Sequence, residues 1–256
     1  MRAYTANKAL GQHFLTDKNT AAKIVKCLSE KLNHHNVLEL GPGQGALTEL
    51  LLELEDVNLK VIDVDPRSIE LIENQFPQLS KGLITADFLK YDISKVFDKP
   101  FGIIGNFPYN ISSQILFKVL KHRNQVDLLV GMFQKEVAER ITSNPGTKKY
   151  GILSVLCQAY YNLELMFSVN ETVFVPPPKV KSAVIRLTRN TRESLECHEE
   201  LFFTVVKQGF NQRRKTLRNS LKALIHDPRQ AAHPLMAQRP EQLGVAEFIE
   251  LTKLLE

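Results

Sequence analysis

Along roughly the first 190 residues, short apolar runs alternate with segments whose apolar positions recur at helical spacing; beyond them only the helical spacing persists. The runs predict strands over Asn36–Leu40, Leu59–Asp65, Gly82–Asp87, Phe101–Gly105, Asp127–Phe133, Asn162–Val169 and Ser182–Leu187. Between them, helical patterns run from cap residues at Thr16–Asn19 to about Leu32, and over Ala46–Leu54, Ser112–His122, Gln134–Ile141 and Ile152–Tyr161. Another helix starts at Asp65, a capping residue followed by Pro66 at the first helical position. The remaining helices are Ser194–Phe210, Arg213–Ile225 and Gly244–Leu255. Strands alternating with helices, then helices alone, predict an α/β domain over 1–187 and a small all-helical domain over 188–256. The polar loop Ser143–Tyr150 reads as a mobile segment over a site.

The candidate chemistry sits where strands end. After the first strand, Gly41-Pro-Gly-Gln-Gly45 allows close backbone approach to a ligand, and the following helix offers unpaired N–H groups. This turn does not decide between cofactors: Gly41-x-Gly43-x-x-Ala46 also fits a dinucleotide fingerprint, with Asp63 placed 22 residues after Gly41. With Asp65 assigned to the helix cap, Asp63 is left for the ribose hydroxyls of a nucleoside. Asp87, ending the third strand, is suited to accept from the 6-amino group of a bound adenine, or to cap a turn.

The fourth strand runs into Asn106-Phe107-Pro108-Tyr109. The Asn106 side-chain oxygen and the Pro108 carbonyl are two acceptors for an exocyclic amine, and Tyr109 is a ring on which a base can stack. Adenine's amino nitrogen is a poor nucleophile because its lone pair is delocalised. Acceptors set out of the ring plane favour the tetrahedral nitrogen of the transition state. The same residues also suit an ordinary strand-to-helix turn. In Val173-Phe-Val-Pro-Pro-Pro-Lys-Val180 three prolines fix the backbone, so Phe174 is either a second stacking ring opposite Tyr109 or core.

Composition narrows the class. The 256 residues are 43% hydrophobic and 24% charged, as in an ordinary globular protein. Cys27, Cys157 and Cys197 are far apart without a metal-ligand spacing, so neither a metal site nor a disulfide framework is expected, and a reducing cytoplasm is. No segment is read as a signal peptide or membrane span. Of the net charge of +5, Lys207–Lys222 carries six basic and no acidic residues, leaving the rest of the chain at −1. That run, with Arg213, Arg214, Lys215 and Arg218 at its centre, is either a reader of nucleic-acid phosphates or a solvated helix face.

Taken in order, Lys8-x-x-Gly-Gln-His-Phe-Leu15, Glu39-x-Gly-Pro-Gly-x-Gly45, Asp87, Asn106–Tyr109, Phe174-x-Pro-x-Pro-Lys-Val180, Phe210–Leu221 and Arg239-Pro-Glu-Gln-Leu243 resemble the rRNA adenine-N6 methyltransferase family over nearly the whole chain. The last two motifs are similar to its small-subunit (16S) dimethyltransferases, not to the erythromycin-resistance enzymes that share the front half. The resemblance implies a seven-stranded, mostly parallel, Rossmann-like methyltransferase sheet and S-adenosyl-L-methionine as cofactor. It implies cofactor contacts at His13, Leu15, Gly41, Asp63, Asp87 and Asn106, to which Gln12 and Gly43 are added from the same motifs. Asn106, Pro108 and Tyr109 would be catalytic, with Tyr109 and Phe174 holding the base. The implied substrate is a pair of adjacent adenosines in a hairpin loop near the 3′ end of 16S rRNA, within the small subunit or its precursor, and the protein is expected to act as a monomer. Asp63 and Phe107 depart from the family, which more often has Glu and Leu or Ile there. Methylation of another rRNA adenine and a mainly non-catalytic role in ribosome assembly stand as alternatives.

Overall fold

The computed structural model describes residues 4–256. Its strands are β1 (Phe14–Leu15), β2 (Asn36–Leu40), β3 (Asn58–Asp63), β4 (Leu83–Thr85), β5 (Phe101–Asn106), β6 (Val126–Gln134), β7 (Tyr161–Val169), β8 (Phe174–Val175) and β9 (Ser182–Arg189). The helices are α1 (Lys18–Ser29), α2 (Ala46–Leu51), α3 (Pro66–Gln75), α4 (Ser112–Lys121), α5 (Lys135–Ile141), α6 (Ile152–Gln158), α7 (Glu199–Asn211), α8 (Leu217–Ser220), α9 (Pro228–Ala232) and α10 (Val245–Leu255).

Seven strands form one sheet in the order β4-β3-β2-β5-β6-β9-β7. From β4 to β6 neighbouring strands are parallel, and β9 runs antiparallel to β6. The predicted α/β fold with a mostly parallel seven-stranded sheet is therefore the fold the chain adopts. In β5, Phe101, Ile103 and Ile104 are fully buried, which is why this strand reads as an unbroken apolar run. Chain order departs from β2 in both directions, to β3 and β4 on one side and to β5 and β6 on the other. Ligands bind open sheets of this kind outside the carboxyl ends of the strands at such a reversal. The glycine turn after β2 and the Asn106 turn after β5 meet there.

The Asn106 turn is fixed from below. Phe107, 1% exposed, meets the Phe133 ring edge-on at 5.2 Å. A side chain at Gly131 would put its Cβ 2.2 Å from the Phe107 ring, so glycine there makes room for the aromatic. The larger residue is thus accommodated without displacing its neighbours.

By compactness the chain divides into two units, one comprising residues up to Ala138 with Leu163–Arg189, the other Glu139–Asn162 with Asn190–Glu256. In the second, α7 packs with α6, α8 and α10. The helix predicted over Arg213–Ile225 is broken: a turn covers residues 212–215 and α8 spans four residues. Asn211–Thr216 offers no apolar position to bury, so the chain turns until Leu217 can pack, fully buried. The Ser143–Tyr150 loop is tied down rather than loose. Gly146 N donates to the Glu241 carbonyl (2.7 Å), Gln158 Nε2 to the Ser143 carbonyl (2.8 Å), and Tyr150 is fully buried. No helix among the described residues is long and apolar enough to cross a membrane.

Candidate active site

A cleft of about 260 Å³ opens at the carboxyl ends of β2, β3 and β5. Of the residues expected to bind a cofactor or act on a base, it brings together Gln12, His13, Leu15, Gly41, Gly43, Asp63, Asp87, Asn106, Pro108 and Tyr109. Gly41 and Gly43 have φ of 69° and 58°, backbone that side chains rarely adopt. At Gly41 nothing stands within 4 Å of where a Cβ would be, leaving the backbone open to a ligand.

Asp63 lies at the end of β3, 8% exposed, with one oxygen accepting from Asp65 N at 2.9 Å. Its burial raises its pKa above the usual carboxylate value. Asp65 caps α3, accepting from Arg67 N at 3.1 Å, and is gripped by the Arg67 guanidinium through both oxygens at 3.0 and 2.7 Å. The cap is therefore Asp65, and Asp63 is the acid on the cleft wall. Asp87 orders its own loop by accepting from Leu89 N at 2.9 Å. The loop is further held by Lys118 of α4, which donates to the carbonyls of Leu89 (3.0 Å) and Tyr91 (2.5 Å).

The N-terminal segment forms the facing wall. Gln12 uses its amide to secure that wall: Nε2 donates to Tyr4 Oη (3.1 Å) and Asp65 Oδ2 (3.3 Å), and Oε1 accepts from Asn7 N (2.9 Å). His13 contributes twice. Its carbonyl accepts from Asn106 Nδ2 at 2.7 Å, and its Nδ1 lies 2.8 Å from the Pro176 carbonyl oxygen. A carbonyl can only accept, so Nδ1 carries the hydrogen. The first contact decides the Asn106 amide: Nδ2 is committed to His13, and Oδ1 is left on the cleft wall with no protein partner among the described residues.

Pro108 O accepts from Ile111 N at 3.2 Å at the start of α4, which leaves its second lone pair. The Tyr109 ring lies against the His13 imidazole with centroids 5.8 Å apart and planes at 26°. Its hydroxyl and Ser182 Oγ are 2.6 Å apart. Burial pushes the Tyr109 phenol above its ordinary pKa. Ser182, fully buried at the start of β9, thus fixes the plane of the ring from its far end. We expect Ser182→Ala to raise the KM for the substrate whose ring rests on Tyr109 several-fold with little change in the KM for the nucleoside bound at Asp63, and Ser182→Thr to restore most of the loss. Steady-state kinetics with each substrate varied in turn is the check, and equal shifts in both constants would count against the role.

Phe174 is not on the cleft wall. It is 2% exposed and belongs to the core with Leu15, Met132 and Val184. The reason is the two-stranded ladder β1–β8, in which Leu15 pairs with Phe174 and Phe14 with Val175. Alternation along β8 turns Phe174 inward and Val175 outward, 59% exposed. The structure therefore assigns Phe174 to packing beneath the N-terminal wall and leaves Tyr109 as the ring at the cleft.

The sequence reading gave no role to two residues of the cleft, Val64 and Glu39. Val64 is 50% exposed between Asp63 and Asp65, an apolar platform beside the ribose-type acid. An apolar residue flanked by acids at a strand end was the available signal. Glu39 is 1% exposed and accepts from Thr48 Oγ1 at 2.6 Å. Burial lifts its pKa from the ordinary 4.5 to about 7; the Thr48 hydrogen bond opposes the rise and the Asp63 charge adds to it. A folded-state value above the unfolded one means that Glu39 contributes in full below pH 4.5 and that the contribution is lost as pH rises to about 7. The loss amounts to roughly 3 kcal/mol. Glu39→Gln is expected to flatten that part of the stability profile, measured by chemical denaturation across the same pH range. A profile unchanged by the substitution would remove Glu39 as its source.

Two carboxylates, an apolar platform and an open glycine backbone fit a nucleoside with free ribose hydroxyls and an exocyclic amine. Beside them stands a separate grip for a second amine, made of Asn106 Oδ1, Pro108 O and the Tyr109 ring. Residues 3–256 match the model of a family described as ribosomal RNA adenine dimethylase. The chain is 53% identical over 257 residues to the ribosomal RNA small subunit methyltransferase A of Flavobacterium johnsoniae, covering 100% of this chain and 98% of that protein. Among solved structures it is similar to a dimethyladenosine transferase from Plasmodium falciparum, with TM-score 0.78, 26% identity, and 93% and 96% of the two chains covered. It is also similar to the 23S rRNA methyltransferase ErmE, with TM-score 0.70, 26% identity, and 94% and 99% covered.

Proposed function

The chain belongs to the ribosomal RNA adenine dimethylase family, and we propose that it transfers methyl groups from S-adenosyl-L-methionine to N6 of two adjacent adenosines in a hairpin loop near the 3′ end of 16S rRNA, giving N6,N6-dimethyladenosine during small-subunit biogenesis. It would act as a monomer in the cytoplasm.

The observation that carries this reading is the Asn106 amide. With Nδ2 donated to the His13 carbonyl, Oδ1 is held as an acceptor beside the Pro108 carbonyl. Two acceptors on one amino group draw its hydrogens out of the base plane and localise the nitrogen lone pair. That favours the geometry of attack over the planar ground state. The target adenosine must leave its stack to reach this corner, and Tyr109, anchored on Ser182, gives it a ring to rest on. The cofactor, when bound, supplies a methyl group already activated on a sulfonium. Asp63, Asp87, Val64 and the open backbone at Gly41 fit its adenosine portion, with His13, Leu15 and Gly43 on the surrounding walls. With an activated donor, the chain's contribution is mainly to position the nitrogen. The exposed Arg214, Lys215 and Arg218 of the C-terminal helical region support docking on rRNA phosphates, with Arg213 beside them.

The test is transfer of labelled methyl from S-adenosyl-L-methionine to undermethylated small subunits, followed by mapping of the modified nucleotide. Label on two adjacent 16S adenosines supports the proposal. Label on large-subunit rRNA only, as the likeness to a 23S enzyme would favour, overturns the substrate assignment.

A further inference from the structure

We propose that the loop Asn144–Lys149 is a second docking element for RNA phosphates, and that Arg213 is the strut that sets it in place rather than a phosphate contact itself. The proposal rests on the rRNA-docking reading of the basic run. Both segments belong to the same compact unit. Arg213 Nη2 donates to the Thr147 carbonyl at 3.1 Å, and its Nε lies 3.9 Å from Glu241 Oε2. The Glu241 backbone completes the brace, its carbonyl accepting from Gly146 N at 2.7 Å. One guanidinium nitrogen is thus bonded to a carbonyl of the loop, and another faces a carboxylate at ion-pair distance.

The loop has the composition such a role requires. Residues 144–149 are all exposed, and at Gly146, with φ of 85°, nothing stands within 4 Å of where a Cβ would be. No acidic residue occurs between Glu139 and Glu164, a span that holds Arg140, Lys148 and Lys149. Lys149 is paired with Glu139. Among the described residues Lys148 has no ion-pair partner, which it shares with Arg214 and Lys215 on the braced segment. An ammonium and the Asn144 amide, held on a loop already bonded in place, meet a phosphate chain with little further ordering cost. A phosphate backbone is the ligand that a donor-bearing loop with an unpaired ammonium attracts.

The test is small-subunit binding by filter retention over a salt series, with cofactor affinity measured in parallel by calorimetry. The proteins are the full-length chain, Lys148→Gln, Lys148→Arg and Arg213→Lys. Lys148→Gln is expected to weaken subunit binding by about 5- to 10-fold at low salt and to lower the salt slope by about 0.7 to 0.9, with Lys148→Arg near wild type. Arg213→Lys keeps the charge but loses the fork that reaches Thr147, so it should weaken binding although no charge is removed. An unchanged melting transition, measured alongside, shows that both variants remain folded. Wild-type affinity and slope in Lys148→Gln would overturn the docking role of the loop, and wild-type binding by Arg213→Lys would overturn the strut. Salt-independent subunit binding by the unaltered protein would instead sink the rRNA-docking reading on which both depend.

Discussion

Replacing Asn106 by alanine is expected to cut methyl transfer by on the order of 10³-fold while leaving subunit binding largely intact. The size follows from what the side chain does. In the proposed mechanism it is one of two acceptors that reshape the target nitrogen, and its amide fastens the strand end to the N-terminal wall through the His13 carbonyl at 2.7 Å. Asn106→Asp separates the two jobs. A carboxylate keeps an acceptor at the cleft but turns a second oxygen toward the His13 carbonyl, where a donor is needed. We therefore expect the aspartate variant to be nearly as inactive as the alanine one, with weakened cofactor binding as the wall shifts. Single-turnover transfer and cofactor titration of both variants make the measurement. Full activity in either would refute the role given to the amide.

The same residue separates an adenine methyltransferase from a dinucleotide enzyme built on the same sheet. The glycine turn and Asp63 fit either, and a nicotinamide cofactor would explain them without further residues. It would leave unexplained an asparagine whose amide nitrogen is tied back so that its oxygen stays unpartnered in the cleft. Protein melting with S-adenosyl-L-methionine or with NAD(H) discriminates them, since only a ligand that binds the folded state raises the transition.

The fold was legible because its signals are local. Parallel strands buried on both faces read as apolar runs, and Asp65-Pro66 announces a helix start within two residues. The cleft residues near strand ends were legible for the same reason: Asp63 and Asn106 end β3 and β5, Gly41 directly follows β2, and Asp87 lies two residues beyond β4. What escaped is non-local. The Asn106–His13 bond joins residues 93 apart and the Tyr109–Ser182 bond residues 73 apart. No spacing rule reaches that far. Phe174 shows the consequence: its side was set by a two-residue ladder too short to leave a pattern, so its inward orientation was beyond the sequence. The break after Asn211 was missed for the opposite reason. A basic stretch has high helix propensity, but without an apolar stripe it has nothing to bury and yields to the turn that places Leu217.

That turn also sets the second large effect. Because the segment is not a continuous helix, Arg214 and Lys215 are both exposed on consecutive residues instead of being spread around a cylinder. Neither has an ion-pair partner among the described residues, so no internal attraction must be broken before they meet a phosphate. Reversing both, as Arg214→Glu with Lys215→Glu, removes two cations and adds two repulsive charges. We expect subunit affinity to fall by about 10²- to 10³-fold at low salt, and the dependence of log affinity on log salt to flatten by about 1.4 to 1.8. Cofactor affinity should not move, because neither residue lines the cleft. Reversal also distinguishes this reading from a plain solvated face: a face that only keeps the protein soluble would tolerate the change with its salt slope intact. Binding that fell without any flattening would point instead to a distorted turn, and the double neutral variant Arg214→Gln with Lys215→Gln, which adds no repulsion, would then decide between charge and shape.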